Sequence, residues 1–328
     1  MEPNVELDFE LIKQVRPRVE KTARRTLLDP SPSLSATSGR EVFIKCENLQ
    51  RTGSFKIRGA TAKMTALSED EGRRGVVAAS AGNHGQGVAW IAREMGIAAT
   101  VYVPSVIPVS KRDAIERLGA RVVVSPHESY DAAEAEALAV CEREGKTWIS
   151  PYDDPLVMAG AGTAGCEIFE ELEDLDALLI PVGGGGLAIG VAVAARVMSP
   201  STRIVGVNTS ASPALYLSRL EGKARLTLES KPTLAEGLEG GISQRAFELA
   251  DGFIDDVLVA EEASLPRAIA EVLRAHHFAI EGSAAVVVAA LLDGLVDPKL
   301  RRVGLVLTGG NIDYDRLRRI VQEQSLTS

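Results

Sequence analysis

Along the chain, short runs of β-branched and apolar residues alternate with longer Ala-, Glu- and Arg-rich stretches whose apolar positions recur at helical spacing. The runs Val42–Lys45, Gly75–Ala79, Ala99–Val103, Arg121–Val124, Ala177–Pro181, Ile204–Val207 and Val303–Leu307 predict strands. The stretches Gly85–Met95, Ser110–Leu118, Tyr130–Glu144, Ala161–Leu172 and Leu265–His276 predict helices between them. Strands separated by helices imply an α/β protein with mostly parallel sheets covered by helices, because a parallel connection needs a crossover long enough to hold one. The units from Gly75 to Trp148 form a compact set that returns through Thr147–Ser150 and the turn-rich Pro151–Pro155. This predicts a smaller domain, 71–150, inserted into a larger one made of 1–70 and 151–328, with soft boundaries.

One apolar stretch needs a decision. Ala177–Ala195 carries no charge over nearly the length of a membrane span, but Pro181 and four successive glycines lie inside it. They would leave backbone groups unpaired in lipid, so a buried strand, a loop and a buried helix are expected, and no membrane association.

Composition narrows the partners. With 45% hydrophobic residues in 328, a sizeable core is affordable. A net charge of −9 and a pI near 5.2 exclude nucleic acid and anionic lipid as general partners. Arg73–Arg74 and the interrupted set Arg316, Arg318 and Arg319 read as solvated faces. Cys46, Cys141 and Cys166 are odd in number and widely spaced, which fits neither a disulfide framework nor a zinc site. The N-terminus (Met1, Glu2, Glu6, Asp8, Glu10) is acidic where a secretory signal would be basic and then apolar, so a cytoplasmic protein is expected.

Four segments could carry chemistry. Pro181-Val182-Gly183-Gly184-Gly185-Gly186-Leu187 lies between a strand and an apolar helix. Consecutive glycines let backbone N–H groups converge, and a helix N-terminus adds a favourable dipole, so a phosphate suits this loop. Gly183-x-Gly185-x-x-Ala188 also matches a dinucleotide fingerprint, which makes an NAD-dependent oxidoreductase the competing enzyme class. That fingerprint needs an acidic residue at the end of the next strand, where this chain has Asn208.

The second segment, Ser80-Ala81-Gly82-Asn83-His84-Gly85-Gln86-Gly87, leads from a strand into a helix and suits a carboxylate or a ring hydroxyl, though a helix cap explains it equally well. The third is Lys56 within Gly53-Ser54-Phe55-Lys56-Ile57-Arg58-Gly59-Ala60. A lysine nucleophile needs an apolar or cationic setting to lose its proton, and Phe55, Ile57 and Arg58 offer both. The fourth is Leu305-Val306-Leu307-Thr308-Gly309-Gly310-Asn311, a buried strand ending in a hydroxyl and two glycines at the edge where open α/β folds bind ligands.

Taken in this order, the four segments resemble the type II fold of pyridoxal-phosphate enzymes, in the threonine dehydratase and serine racemase branch, over nearly the whole chain. That resemblance implies two open, mostly parallel sheets with helices on both faces and pyridoxal 5'-phosphate between a large and a small domain. It implies Lys56 as the Schiff-base lysine and general base, Phe55 against the ring, Asn83 at the ring hydroxyl, Gly183, Gly184, Gly185, Gly186 and Leu187 around the phosphate, and Thr308 facing the pyridine nitrogen. Ser80, Ala81, Gly82, Asn83 and His84 would take the substrate carboxylate.

The branch is narrowed by particular residues. The loop is Ser-Ala-Gly-Asn-His where cysteine synthases carry Thr-Ser-Gly-Asn-Thr, and Ile57 follows the lysine where threonine synthases carry Asp. Serine racemases place an acid/base serine before Gly-Asn, whereas this chain has Ala81. Their first metal-binding carboxylate would fall at Asn208, so no metal is expected. The neutral Thr308 implies prompt β-elimination over transamination. The expected reaction is dehydration and deamination of L-threonine to 2-oxobutanoate and ammonia, with L-serine to pyruvate beside it, in a homodimer or homotetramer without a C-terminal regulatory domain. Dehydratases of 3-hydroxyaspartate or of a hydroxyectoine-derived amino acid, serine racemisation, and a non-catalytic anion-binding protein stay open as alternatives.

Overall fold

A computed structural model describes residues 5–325, so Met1 and Glu2 of the acidic N-terminus lie outside the described residues. Ten strands are present among the described residues: β1 Leu28–Pro30, β2 Glu41–Lys45, β3 Val76–Ala79, β4 Ala99–Val103, β5 Arg121–Val124, β6 Thr147–Trp148, β7 Ala177–Pro181, β8 Arg203–Thr209, β9 Asp256–Ala260 and β10 Arg302–Val306. They make a six-stranded sheet in the order β1-β2-β10-β7-β8-β9 and a four-stranded sheet in the order β5-β4-β3-β6. Every pairing is parallel except β1 with β2. All strands of the smaller sheet come from the segment 76–148.

The larger sheet is covered on both faces, and the two-residue pleat shows how. In β7, Leu178 and Ile180 enter one core with Val15, Met158 and Val191, from the helices Phe9–Thr22, Pro155–Glu171 and Gly186–Met198. Ala177 and Leu179 enter the opposite core with Ile269 and Val287, from the helices Leu265–His276 and Gly282–Leu292. Burial on both sides is why β7 reads as an unbroken apolar run rather than an alternation. The uncharged stretch at Ala177–Ala195 accordingly divides into β7, the glycine loop and the start of a buried helix. No helix among the described residues is long and apolar enough to cross a membrane.

Three helices meet at backbone distance. A Cβ on Gly160 would lie 2.5 Å from the carbonyl oxygen of Arg58, and one on Gly162 would lie 2.6 Å from that of Gly190. A Cβ on Gly190 would collide with the carbonyl of Met158. The helices Lys56–Met64, Pro155–Glu171 and Gly186–Met198 therefore touch main chain to main chain.

The helix Pro155–Glu171 begins six residues before the predicted Ala161, with Pro155 in its first turn and Asp154 capping the N–H groups of Leu156 and Val157 at 2.8 and 3.2 Å. Its glycines Gly160, Gly162 and Gly165 are a packing seam.

Next to that seam lies a buried ionic cluster. Arg58 is held at 2.7–2.8 Å by both carboxylate oxygens of Glu47 and both of Glu167, while Lys45 Nζ sits 2.6 Å from Glu167. All four side chains are almost completely excluded from solvent, and their charges sum to zero. Burial pushes the Glu47 carboxyl up, but the charge and hydrogen bonds of Arg58 outweigh it and hold that group below its usual range. The three cysteines are buried and unpaired.

Candidate active site

The four segments singled out above converge at the carboxyl end of β10 and β7. Thr308 follows β10, and its carbonyl accepts from the Phe55 N–H at 3.1 Å, while Ser54 pairs with Gly309. These bonds fix the turn that begins the Lys56 helix. A Cβ on Gly87 would lie 3.2 Å from Ile57 N, so the helix Asn83–Met95 also rests on the first turn after Lys56. That helix starts at Asn83, two residues before the predicted Gly85.

Lys56 Nζ donates to the Pro151 carbonyl at 2.7 Å and lies 5.2 Å from the centre of the Phe55 ring. Burial lowers its pKa to about 8, partly opposed by Glu281. The Arg58 guanidinium, expected to help deprotonate this amine, does not do so. It points into the ionic cluster, where two carboxylates neutralise it. Desolvation is the cause that remains.

The glycine loop is shaped by what presses on it. Gly185 has φ +90°, a left-handed backbone that favours glycine, and a Cβ on Gly184 would collide with the Tyr152 ring. A Cβ on Gly186 would lie 2.7 Å from the Tyr152 carbonyl oxygen. Gly186, Leu187 and Ala188 open a 13-residue helix, so their N–H groups have no partner within it and the positive end of its dipole faces the loop.

His84 is buried, its Nε2 lies 2.8 Å from the Ile149 carbonyl, and burial together with nearby Lys56 pushes its pKa down to about 3. A carbonyl only accepts, so the neutral ring carries its proton on Nε2 and Nδ1 is a bare acceptor. The ring is thus unable to donate to a carboxylate. What His84 can offer an anion is its backbone N–H in the first turn of the Asn83–Met95 helix.

Asn208 is committed elsewhere: its Nδ2 donates to the Val182 carbonyl at 2.8 Å and its Oδ1 accepts from Tyr216 N at 3.0 Å. No cluster of three metal-ligating side chains occurs among the described residues.

Two buried hydroxyls test whether a ligand belongs here. Thr308 Oγ1 and Ser54 Oγ are buried without a hydrogen-bond partner. Leaving a buried hydroxyl unpaired costs about 1–3 kcal/mol. A ring with a hydrogen-bonding nitrogen beside Thr308, and a phosphate on the glycine loop, would engage the Thr308 hydroxyl and the N–H groups that open the helix after the loop, and a lysine whose burial eases loss of its proton suits an aldehyde. The residues fit pyridoxal phosphate.

Glu281 was not foreseen. It precedes the helix Gly282–Leu292, its Oε1 accepts from Asn83 Nδ2 at 2.6 Å, and its backbone N–H donates to the Gly309 carbonyl at 3.0 Å. Burial raises its pKa to about 7 against the lowering effect of the Asn83 hydrogen bond. Nothing in the local sequence marks this glutamate, since it is brought to Asn83 from 198 positions away.

Comparison with known proteins agrees with this geometry. Residues 19–309 match a family described as pyridoxal-phosphate dependent enzyme. An L-threonine ammonia-lyase of Thermotoga maritima is 42% identical over 97% of this chain and 79% of its own length. The catabolic L-threonine dehydratase TdcB of Escherichia coli K12 is 36% identical over 94% of each chain. The solved structure of maize serine racemase superposes with a TM-score of 0.91 at 30% identity, covering 98% of this chain and 99% of that one. On these matches and the type II fold they share, the chain belongs to the pyridoxal-phosphate dependent enzyme family.

Proposed function

We propose that the protein is an ammonia-lyase that dehydrates and deaminates β-hydroxy amino acids, converting L-threonine to 2-oxobutanoate and ammonia and L-serine to pyruvate. The observation that carries this reading is the setting of Lys56: an amine with its pKa lowered to about 8, bonded to the Pro151 carbonyl beside the Tyr152 that packs on the glycine loop, in a turn held to the Thr308 carbonyl. At pH 7 roughly one such amine in ten is neutral, against fewer than about one in a thousand for an ordinary lysine. The relatives named L-threonine ammonia-lyase and dehydratase support the same substrate class.

When bound, pyridoxal phosphate supplies an electron-accepting ring that takes up charge released at the substrate Cα. Gly183–Gly186 and Leu187 would hold its phosphate through backbone N–H groups, Phe55 would pack against its ring, and Asn83 would bind its ring hydroxyl. Lys56 would anchor it and, once displaced by the substrate amine, would withdraw the Cα proton as general base. The Thr308 hydroxyl would lie at the ring nitrogen, where it could not hold a full proton as a carboxylate would, and this would favour loss of the β-hydroxyl over lasting charge at the substrate Cα.

Ser80 to His84 receive the substrate carboxylate at the N-terminus of the Asn83–Met95 helix. Ala81 has no group able to return a proton on the opposite face, which disfavours racemisation. We further infer that 71–150 acts as a small domain against 1–70 with 151–328, and that the protein works as a homodimer or homotetramer. A 2-oxo acid assay over L-threonine, L-serine, D-serine and the 3-hydroxyaspartates, with ammonia measured in parallel, tests the substrate. Turnover of neither L-threonine nor L-serine would reject it.

A further inference from the structure

Glu281 has no structural duty that accounts for its position. It stands at the N-cap of the Gly282–Leu292 helix, yet its side chain makes no capping hydrogen bond. Instead its carboxyl turns into the site, and even a methyl group on Gly309 would lie 2.5 Å from its Oε1. An acid brought into this setting without a cap to make is expensive, unless it acts on its partner, Asn83.

The hydrogen bonds around Asn83 have only one consistent polarity. The Thr52 carbonyl can only accept, so the amide nitrogen of Asn311, 2.8 Å away, must point at it. The second N–H of Asn311 then reaches Asn83 Oδ1 at 2.7 Å, which turns the Asn83 nitrogen toward Glu281 at 2.6 Å. With its oxygen and one N–H engaged, Asn83 retains a single free N–H. Flipping the amide would set donor against donor at Asn311 and oxygen against oxygen at an ionised Glu281.

We propose that Glu281 is a positioning residue which, with Asn311, locks the Asn83 amide so that its free N–H faces the ring oxygen of bound pyridoxal phosphate, and whose charge sets how strongly that oxygen keeps its proton. This rests on the pyridoxal-phosphate reading of the site. Ionised Glu281 weakens the remaining Asn83 N–H as a donor and repels an anionic ring oxygen, while the neutral acid does neither.

The groups acting on this carboxyl come from four elements: Asn83, Lys56, Lys111 of the Val109–Arg117 helix, and Glu236 of the turn Glu236–Leu238. Lys111 and Glu236 are ion-paired to each other, and Glu236 also to Arg316, so their fields on Glu281 partly cancel. Burial dominates, placing the change of charge near neutrality.

The test is the pH dependence of the visible absorption spectrum of the holoenzyme, with cofactor affinity from reconstitution, for wild type, Glu281→Gln, Glu281→Leu and Asn311→Leu. Borohydride trapping of the cofactor on Lys56 in the wild type checks the underlying reading separately. Wild type should show a spectral step near pH 7. Glu281→Gln keeps an acceptor without a charge, so it should lose the step while holding affinity within about threefold. Glu281→Leu and Asn311→Leu release Asn83 and should each weaken cofactor binding about tenfold, with Asn311→Leu retaining the step. Survival of the step in Glu281→Gln, or unchanged affinity in a folded Glu281→Leu, overturns the proposal. If Glu281→Leu does not fold, the Gln spectrum decides alone.

Discussion

Replacing Glu167 by Gln should destabilise the protein by about 3–5 kcal/mol, far more than any surface charge change. In the native cluster, two cations, Lys45 and Arg58, face two carboxylates, Glu47 and Glu167, all at most 2% exposed. Glu167 accepts from Lys45 Nζ at 2.6 Å and from two Arg58 nitrogens at 2.7 and 2.8 Å. A Gln has nearly the same volume, so no cavity forms. It leaves one uncompensated positive charge among side chains shielded from solvent, and one end of its amide confronts a cation with another donor. Urea unfolding followed by far-ultraviolet circular dichroism measures the loss. The exposed pair Arg225–Glu221 supplies the scale, since Glu221→Gln should leave the urea midpoint close to that of wild type. Removing a cation together with the anion, as Lys45→Met with Glu167→Met, restores neutrality and should recover most of the stability. A Glu167→Gln midpoint indistinguishable from that of Glu221→Gln, or a double variant no more stable than the single one, would refute the charge-balance account.

Four further outcomes follow from the site. Thr308→Val removes a buried hydroxyl that has no partner, so the cofactor-free protein should gain up to about 1 kcal/mol in urea unfolding while cofactor affinity falls. Gly185→Ala should cost about 1–2 kcal/mol through its φ of +90°, and Gly184→Ala should weaken cofactor binding by displacing the Tyr152 ring, read by equilibrium dialysis. Glu281 binds a proton in the folded state between its ordinary 4.5 and about 7, where the unfolded chain has released it, so its contribution is complete below pH 4.5 and lost as pH rises through 7. Urea midpoints should therefore show Glu281→Gln gaining on wild type across that window, by at most about 3 kcal/mol, and a constant difference would contradict the assignment.

What the sequence discloses here depends on how local the cause is. β4, β5 and β7 appear at the predicted residues, because strands buried or half-buried between helices are apolar runs with clear ends. The edge strands β1 and β9 were not predicted: β1 is three residues long and carries Pro30, and the apolar part of β9, Val257–Ala260, is a short run set between Asp255–Asp256 and Glu261–Glu262. The helix Phe9–Thr22 was also missed, for it contains Pro17. At the site, Lys56, Asn83, the glycine loop and Thr308 lie in four short local motifs that point to one cofactor only when read together. Glu281 and the partners of Arg58 do not, because their meaning lies in contacts between residues more than a hundred positions apart, or, for Glu47, in a side chain turned inward against ordinary expectation.

The glycine seam between the three helices bears on how the enzyme can move. Lys56 begins one of these helices, and the phosphate-shaped loop runs into another, with the Pro155–Glu171 helix wedged between them at main-chain contact. Backbone lies against backbone at these crossings, with small side chains such as Ala62 and Ala194 beside them, so the spacing of Lys56 and the glycine loop is set mainly by main chain. The opposite wall meets this unit through polar contacts such as Lys111 with Glu236 and Ser110 with Asp313, so a substitution there should leave the spacing of Lys56 and the glycine loop intact, whereas a single methyl group added to the seam should change it.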